Sequence, residues 1–266
     1  MSHHKVKRRP NIQAGAEDQM SDTPPFILFG LAHLSALFVI GTLSILIARF
    51  SRDGLSAASQ YRFGVALAVL LIAQEILHLW YQTNYQDRLL TSVLPLHLCG
   101  LSVLLTVWTL IARTYLTYEI LYFWAWGGTL QALLTPDLEQ GFPDPAFLTF
   151  FLGHGLVIVG VLYATLVYRF RPHVISIFKS LGALAITAAL IAPINLWLGS
   201  NYLFLSQKPE QTSLMDVLGP WPWYLVSLTA LAFVSSVLWY LPFYIKDRRA
   251  MAHAAESAMA RPRRRA

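Results

Sequence analysis

Seven stretches of this chain are apolar for more than twenty residues each: 25–50, 61–82, 89–112, 115–135, 146–170, 174–199 and 222–245. A helix needs about 20 apolar residues to cross the ~30 Å hydrocarbon core of a bilayer. The fold class that follows is all-α: a polytopic membrane bundle of seven transmembrane helices. Charged residues make up 13% of the 266 positions, roughly half the usual share of a soluble domain, so soluble-enzyme templates do not apply. The expected organisation is a disordered polar N-terminal tail over 1–23, a transmembrane domain over 24–246 and a basic cytoplasmic tail over 247–266. No cleavable signal or lipidation motif is expected from the N-terminal residues. No internal repeat is visible, which weighs against a transporter built from inverted repeats.

The net charge is +6, and its placement matters more than its size. Arg49, Arg52, Arg62, Arg113, Arg169, Arg171, Lys179, Lys246, Arg248 and Arg249 fall on one set of loops and ends. The other set is acidic: Asp87, Asp137, Glu139, Asp144, Glu210 and Asp216, with only Arg88 and Lys208 as near cations. The basic side is expected in the cytoplasm. That puts the N-terminus outside and the C-terminus inside, in what we read as a bacterial cytoplasmic membrane. Lys5, Lys7, Arg8 and Arg9 point the other way but lie at the margin of the rule's range. The basic ends speak to topology and lipid headgroups rather than nucleic acid. Trp80, Tyr81, Trp197, Tyr202, Trp221, Trp223 and Tyr224 at segment ends are expected to form the interfacial aromatic belt.

Ionisable groups inside a membrane are costly and usually mark a site. At a helical rise of 1.5 Å per residue, His33, Glu75, His97, Cys99 and His154 lie roughly 10–15 Å below the outer surface, and His78, Gln131 and Asn195 roughly 5 Å. The inner half is expected to be almost uniformly apolar. Glu75 and His78, three residues apart, share a helix face and could bond each other or one partner. His97 and Cys99, two apart, fall on opposite faces of a regular helix. Were the helix to begin at Pro95, Cys99 would sit in its second turn, where the positive helix end favours a thiolate. Gly153 and Gly155 flank His154 and leave it accessible.

These residues allow three chemistries. Cys99 with a histidine from another helix makes a nucleophile for ester carbonyls, with Gln131 or Asn195 as donors to an oxyanion. The same polar cluster could be the pocket of a non-enzymatic lipid or small-molecule binder. The four histidines with Glu75 could also hold a metal for an intramembrane lipid hydrolase, although no paired-His motif at helical spacing is present. No metal or other cofactor is expected in the first reading. With a single cysteine, no intramolecular disulfide can form. The loop over 200–221, carrying Asn201, Tyr202, Lys208 and Asp216, is expected to cap the cavity.

Five phrases read together: LPLHLCG (94–100), LTPDL (134–138), GHG (153–155), NYLFLSQKP (201–209) and SLMDVLGPWPWY (213–224). On them the chain resembles the YwaF-like integral membrane family, from the first apolar segment to the last. The resemblance implies kinship with an animal branch that transfers acyl chains between phospholipids. It also implies Cys99 in LHLCG as nucleophile and His154 in GHG as its base; Glu75, His78 and His97, in the same outer half of the membrane, are expected to tune their charge. An outward-facing site has no coenzyme A thioesters, so a phospholipid or other membrane ester is the expected acyl donor. Membrane lipids are the expected partners, and the oligomeric state is left open.

Overall fold

The computed structural model describes residues 23–209 and 214–259. The polar tail expected before residue 23 and the basic run at 261–265 lie outside these residues. Eight labelled helices follow: α1 Leu31–Gly54, α2 Ala57–Asn84, α3 Leu98–Ala112, α4 Tyr115–Trp124, α5 Leu130–Leu134, α6 Pro145–Leu166, α7 Val174–Leu198 and α8 Trp223–Met259. Their starts follow ordinary capping chemistry. The Ser56 hydroxyl accepts from Ser59 N ahead of α2 at 3.3 Å. Asp144 accepts from Ala146 N at 2.7 Å, with Pro145 opening α6, where its missing N–H costs nothing. Gly199 closes α7 in the left-handed region.

Five helices are long and apolar enough to cross a membrane: Leu31–Gly54, Ala57–Asn84, Pro145–Leu166, Val174–Leu198 and Trp223–His253. The two other expected segments take a different form. Segment 89–112 is broken into one helical turn, Leu90–Val93, an irregular stretch over 94–97 and α3. Pro95 supplies the physical cause, because it has no N–H to donate and its ring turns the preceding residue away from helical angles. With 15 residues, α3 is only about 22 Å long. Segment 115–135 runs through α4, a π turn over Ala125–Thr129 and α5. The last helix continues past residue 246 to Met259.

α6 is the central helix: two-thirds of its apolar window is buried, against 11% for α8 at the periphery. α1, α2 and α3 pack against α6, α2 against α3, and α4 against α3 and α7, while α8 leans on α7. The outward faces of α1, α7 and α8 present large apolar side chains such as Phe38, Leu196 and Leu238, as a lipid-facing surface requires.

The basic residues collect at one end of the bundle. The Arg113 guanidinium lies over the rings of Tyr61 and Tyr168, at 4.7 and 4.2 Å. Arg171 Nη2 donates to Asp247 Oδ2 at 2.5 Å. Near this end the structure departs from the uniformly apolar interior expected there. The Glu119 side chain is only 2% exposed and accepts from Ser176 Oγ and Lys179 Nζ, both at 2.6 Å. The aromatic belt also needs correction. Trp197, Trp221 and Trp223 are exposed, but Tyr202 and Tyr224 are buried to 1%, because both phenols reach inward to backbone partners.

Candidate functional site

A cavity of about 210 Å³ opens at the end of the bundle opposite the basic residues. α2 contributes Gln74, Glu75, His78 and Gln82 to its wall. Positions 74, 78 and 82 are spaced by four, so one stripe of the helix faces inward. α6 contributes Thr149, Phe150, Gly153, His154 and Val157 at the same periodicity. The start of α3 adds His97, Cys99 and Gly100, and the π turn adds Thr129. Arg88 and Ser92, both exposed, stand at its rim.

The break before α3 determines where the thiol sits. His97 is the N-cap and Cys99 the second helical residue, so the helix starts at Leu98 rather than Pro95 and Cys99 falls in the first turn. The N–H groups of a first turn have no carbonyl of their own helix to bond, and they carry the positive end of the helix dipole. Only in a continuous helix would His97 and Cys99 face opposite ways. Because the chain is irregular up to residue 97, both residues line the same cavity. The His97 ring is held from outside by Tyr202 and Phe204, with centroids 5.0 and 5.2 Å away.

His154 is already oriented. Its Nδ1 lies 2.9 Å from the Phe150 carbonyl oxygen, and its ring stacks on Phe150 at 4.1 Å. A carbonyl only accepts, so Nδ1 carries the proton and Nε2 keeps its lone pair. Glu75, His78, Cys99 and His154 all line this one cavity. No hydrogen bond links Glu75 to His78 among the described residues; each turns to the cavity instead.

Other sequence candidates lie elsewhere. His33 is buried among Phe26, Phe29 and Phe151, with Nε2 donating to Leu133 O at 2.8 Å and Nδ1 accepting from Phe29 N at 3.0 Å. Gln131 is exposed and donates to Thr135 Oγ1 at 3.0 Å. Asn195 is buried, but it donates to Tyr202 O at 2.9 Å and accepts from Tyr202 N at 2.8 Å. It anchors the loop and does not line the cavity. Asn201 closes that loop through Ser206 N and Gln207 O, and Lys208 donates to Asp216 O at 3.3 Å. The part of the loop over 210–213 lies outside the described residues. Tyr202 alone of these four reaches the site: its hydroxyl donates to Thr91 O at 2.8 Å and accepts from Leu94 N at 3.0 Å. It thereby pins the irregular stretch at the cavity rim.

Three wall residues that the sequence did not single out carry a common anomaly. Gln74 Oε1, Gln82 Oε1 and Thr129 Oγ1 are buried with no hydrogen-bond partner among the described residues. Burying such an atom without a partner costs about 1–3 kcal/mol, and these three gather around one cavity. Spacing could have flagged Gln74 and Gln82, which bracket His78 on its own helix face. No three His, Cys, Asp or Glu side chains converge at metal-ligand spacing among the described residues.

The TMEM164 family model matches residues 28–240, from the turn before α1 into α8; the motifs had pointed to the YwaF-like family. An uncharacterized protein of Treponema pallidum (strain Nichols) is 30% identical over 233 residues, covering 86% of this chain and 94% of that protein. No solved structure matches the chain.

Proposed function

The chain belongs to the TMEM164 family, and from that premise we propose that it is an intramembrane lipid acyltransferase or transacylase working through Cys99 and His154. The observation that supports this reading is one cavity lined by both the only thiol of the chain and an imidazole whose Nδ1 is committed to Phe150 O. His154 Nε2 takes the thiol proton. The sulfur attacks the ester carbonyl of a lipid, and an S–C bond forms as the carbonyl electron pair moves onto oxygen. Collapse expels the lipid alkoxide, which receives the proton from His154 and leaves an acyl thioester on Cys99. An acceptor hydroxyl then gives its proton to His154 and attacks the thioester, restoring the thiolate. With water as acceptor the same sequence is hydrolysis.

Topology bears on the donor. We read the two broken segments as the third and fourth of seven crossings, with the basic end in the cytoplasm and the N-terminus outside. The cavity then opens toward the outer leaflet, where the acyl donor is a membrane ester. Arg88 at the rim suits a lipid phosphate. Full-length protein incubated with phosphatidylethanolamine vesicles tests the reading by intact mass spectrometry. The expected result is an acyl-mass adduct on Cys99 that hydroxylamine removes. Failure to form it, or undiminished ester turnover by Cys99→Ala, overturns the mechanism.

The unpartnered atoms of Gln74, Gln82 and Thr129 also favour a second reading, in which the cavity holds a lipid or small molecule without turning it over. Alkylation separates the two: a catalytic Cys99 reacts fast with iodoacetamide at neutral pH and is shielded by lipid ester, while a packing thiol reacts slowly.

A further inference from the structure

We infer that the Thr129 hydroxyl, together with the first-turn N–H groups of α3, forms the oxyanion hole of this site; the inference rests on the acyl-transfer reading above. The sign is a missing bond. Several helical hydroxyls fold back on the carbonyl four residues earlier: Ser102 on Leu98 O, Thr106 on Ser102 O, Thr149 on Pro145 O and Thr165 on Val161 O, at 2.6–2.8 Å; Ser51 in α1 does not, but it lies far from the cavity. Thr129 makes no such bond. The carbonyl it would use is Ala125 O, which in the π turn is one residue out of step and accepts from Leu130 N. One wide turn thus frees a hydroxyl that is 99% buried, since Thr129 is 1% exposed. π turns of this kind recur at functional sites.

The freed hydroxyl belongs beside the nucleophile. The π turn packs against α3, and its Gly128 admits Leu98 so closely that an added β-carbon would stand 2.8 Å from Leu98 Cδ2. Thr129 and Cys99, each next in sequence to one of these contacting residues, line the same cavity. The α3 N-terminus supplies the N–H groups of Cys99 and Gly100, which lie too early in the helix to find a carbonyl four residues back. When the Cys99 sulfur adds to the ester, negative charge appears on the former carbonyl oxygen. Fixed donors in a dry site stabilise that charge without reorganising. The Thr129 O–H donates one bond, and the helix end supplies the rest.

Acylation of Cys99 by 4-nitrophenyl octanoate, read as nitrophenolate release by the full-length protein in detergent, tests the inference. Thr129→Val keeps the shape and removes the donor. We expect its acylation rate to fall by about 10²–10³-fold with little change in KM, and Thr129→Ser to stay within about tenfold of wild type. Iodoacetamide alkylation, which forms no oxyanion, should be unchanged in both. Wild-type acylation in Thr129→Val overturns the oxyanion role and leaves the Cys99 mechanism standing. Equal losses in acylation and alkylation also overturn it, because Thr129 would then only position the thiol. No acylation of Cys99 in the wild-type protein defeats the acyl-transfer reading and this inference together. Thr129→Ala serves as the second variant if the valine protein does not fold.

Discussion

Gly153 of α6 lies directly beneath the carboxamide of Gln74 on α2: a β-carbon there would stand 2.7 Å from Nε2 and 2.8 Å from Oε1. Nε2 in turn donates to Thr149 O at 3.0 Å, so the amide cannot swing aside without giving up that bond. The contact sits one residue before His154, which makes it a spacing element for the proposed base.

Gly153→Ala should therefore destabilise the protein by about 1–3 kcal/mol through overpacking. Combining it with Gln74→Ala should recover much of that loss, since the clash needs both partners. Thermal unfolding in detergent across the double-mutant cycle checks this. Simple additivity would show that the two residues do not press on each other in solution.

Replacing the proposed base gives a second expectation. His154→Ala should slow Cys99 acylation by at least ~10³-fold, as loss of a member of a nucleophile–base unit does, while the unfolding temperature stays near wild type. Rescue of acylation by added imidazole would tie the loss to the missing ring. A variant that acylates normally would assign the proton to another group of the cavity.

Tyr202→Phe removes one hydroxyl that serves both Thr91 O and Leu94 N. Leaving those groups unpaired should cost about 1–3 kcal/mol and loosen the stretch before α3. Faster hydrogen exchange at Leu94, with faster alkylation of Cys99, is the expected pattern. Unchanged exchange would mean that the loop does not pin the rim.

Arg88→Gln should raise KM for a phosphate-bearing lipid ester by roughly 10–100-fold, the worth of a charge-assisted hydrogen bond, and leave 4-nitrophenyl octanoate unaffected. Equal losses on both substrates would remove Arg88 from headgroup recognition.

At the opposite end, Glu119→Gln should lower stability by about 1–3 kcal/mol, because the Ser176 bond can survive while the charged bond to Lys179 is lost. Lys179 is 40% exposed, so its freed ammonium can reach water and the loss stays below that of a sealed ion pair. Cys99 acylation should not change, a readout that separates this structural cluster from the site.

The sequence made the membrane class and the height of the polar groups legible, because hydropathy and the helical rise act along the axis. Azimuth was not legible. His33 has the height of Cys99 but turns into an aromatic nest, and Asn195 turns toward its own loop. Glu75, His78, His97, Cys99 and His154 do share a cavity, and for His97 this holds because the helix breaks where Pro95 interrupts it. Thr129 was invisible for a different reason. Gly127 and Gly128 do signal a local irregularity in the sequence, but not that it takes the form of a one-residue widening of the helix that leaves Thr129 without a partner. Glu119 looked like a residue of an apolar segment, since its partners come from α7, some 60 positions away.

The shortness of α3 gives the site a built-in gauge. Its far end is clamped where Arg113 sits between two tyrosine rings, so the thiol rides about 22 Å above that anchor, several ångströms short of the other face of a ~30 Å hydrocarbon layer. On the acyl-transfer proposal, a lipid would have to sink its ester linkage by that difference to reach the thiol. Thin bilayers of short or unsaturated chains shorten the descent and thick, saturated ones lengthen it, so the fatty-acid make-up of the host membrane would itself set the pace of the reaction.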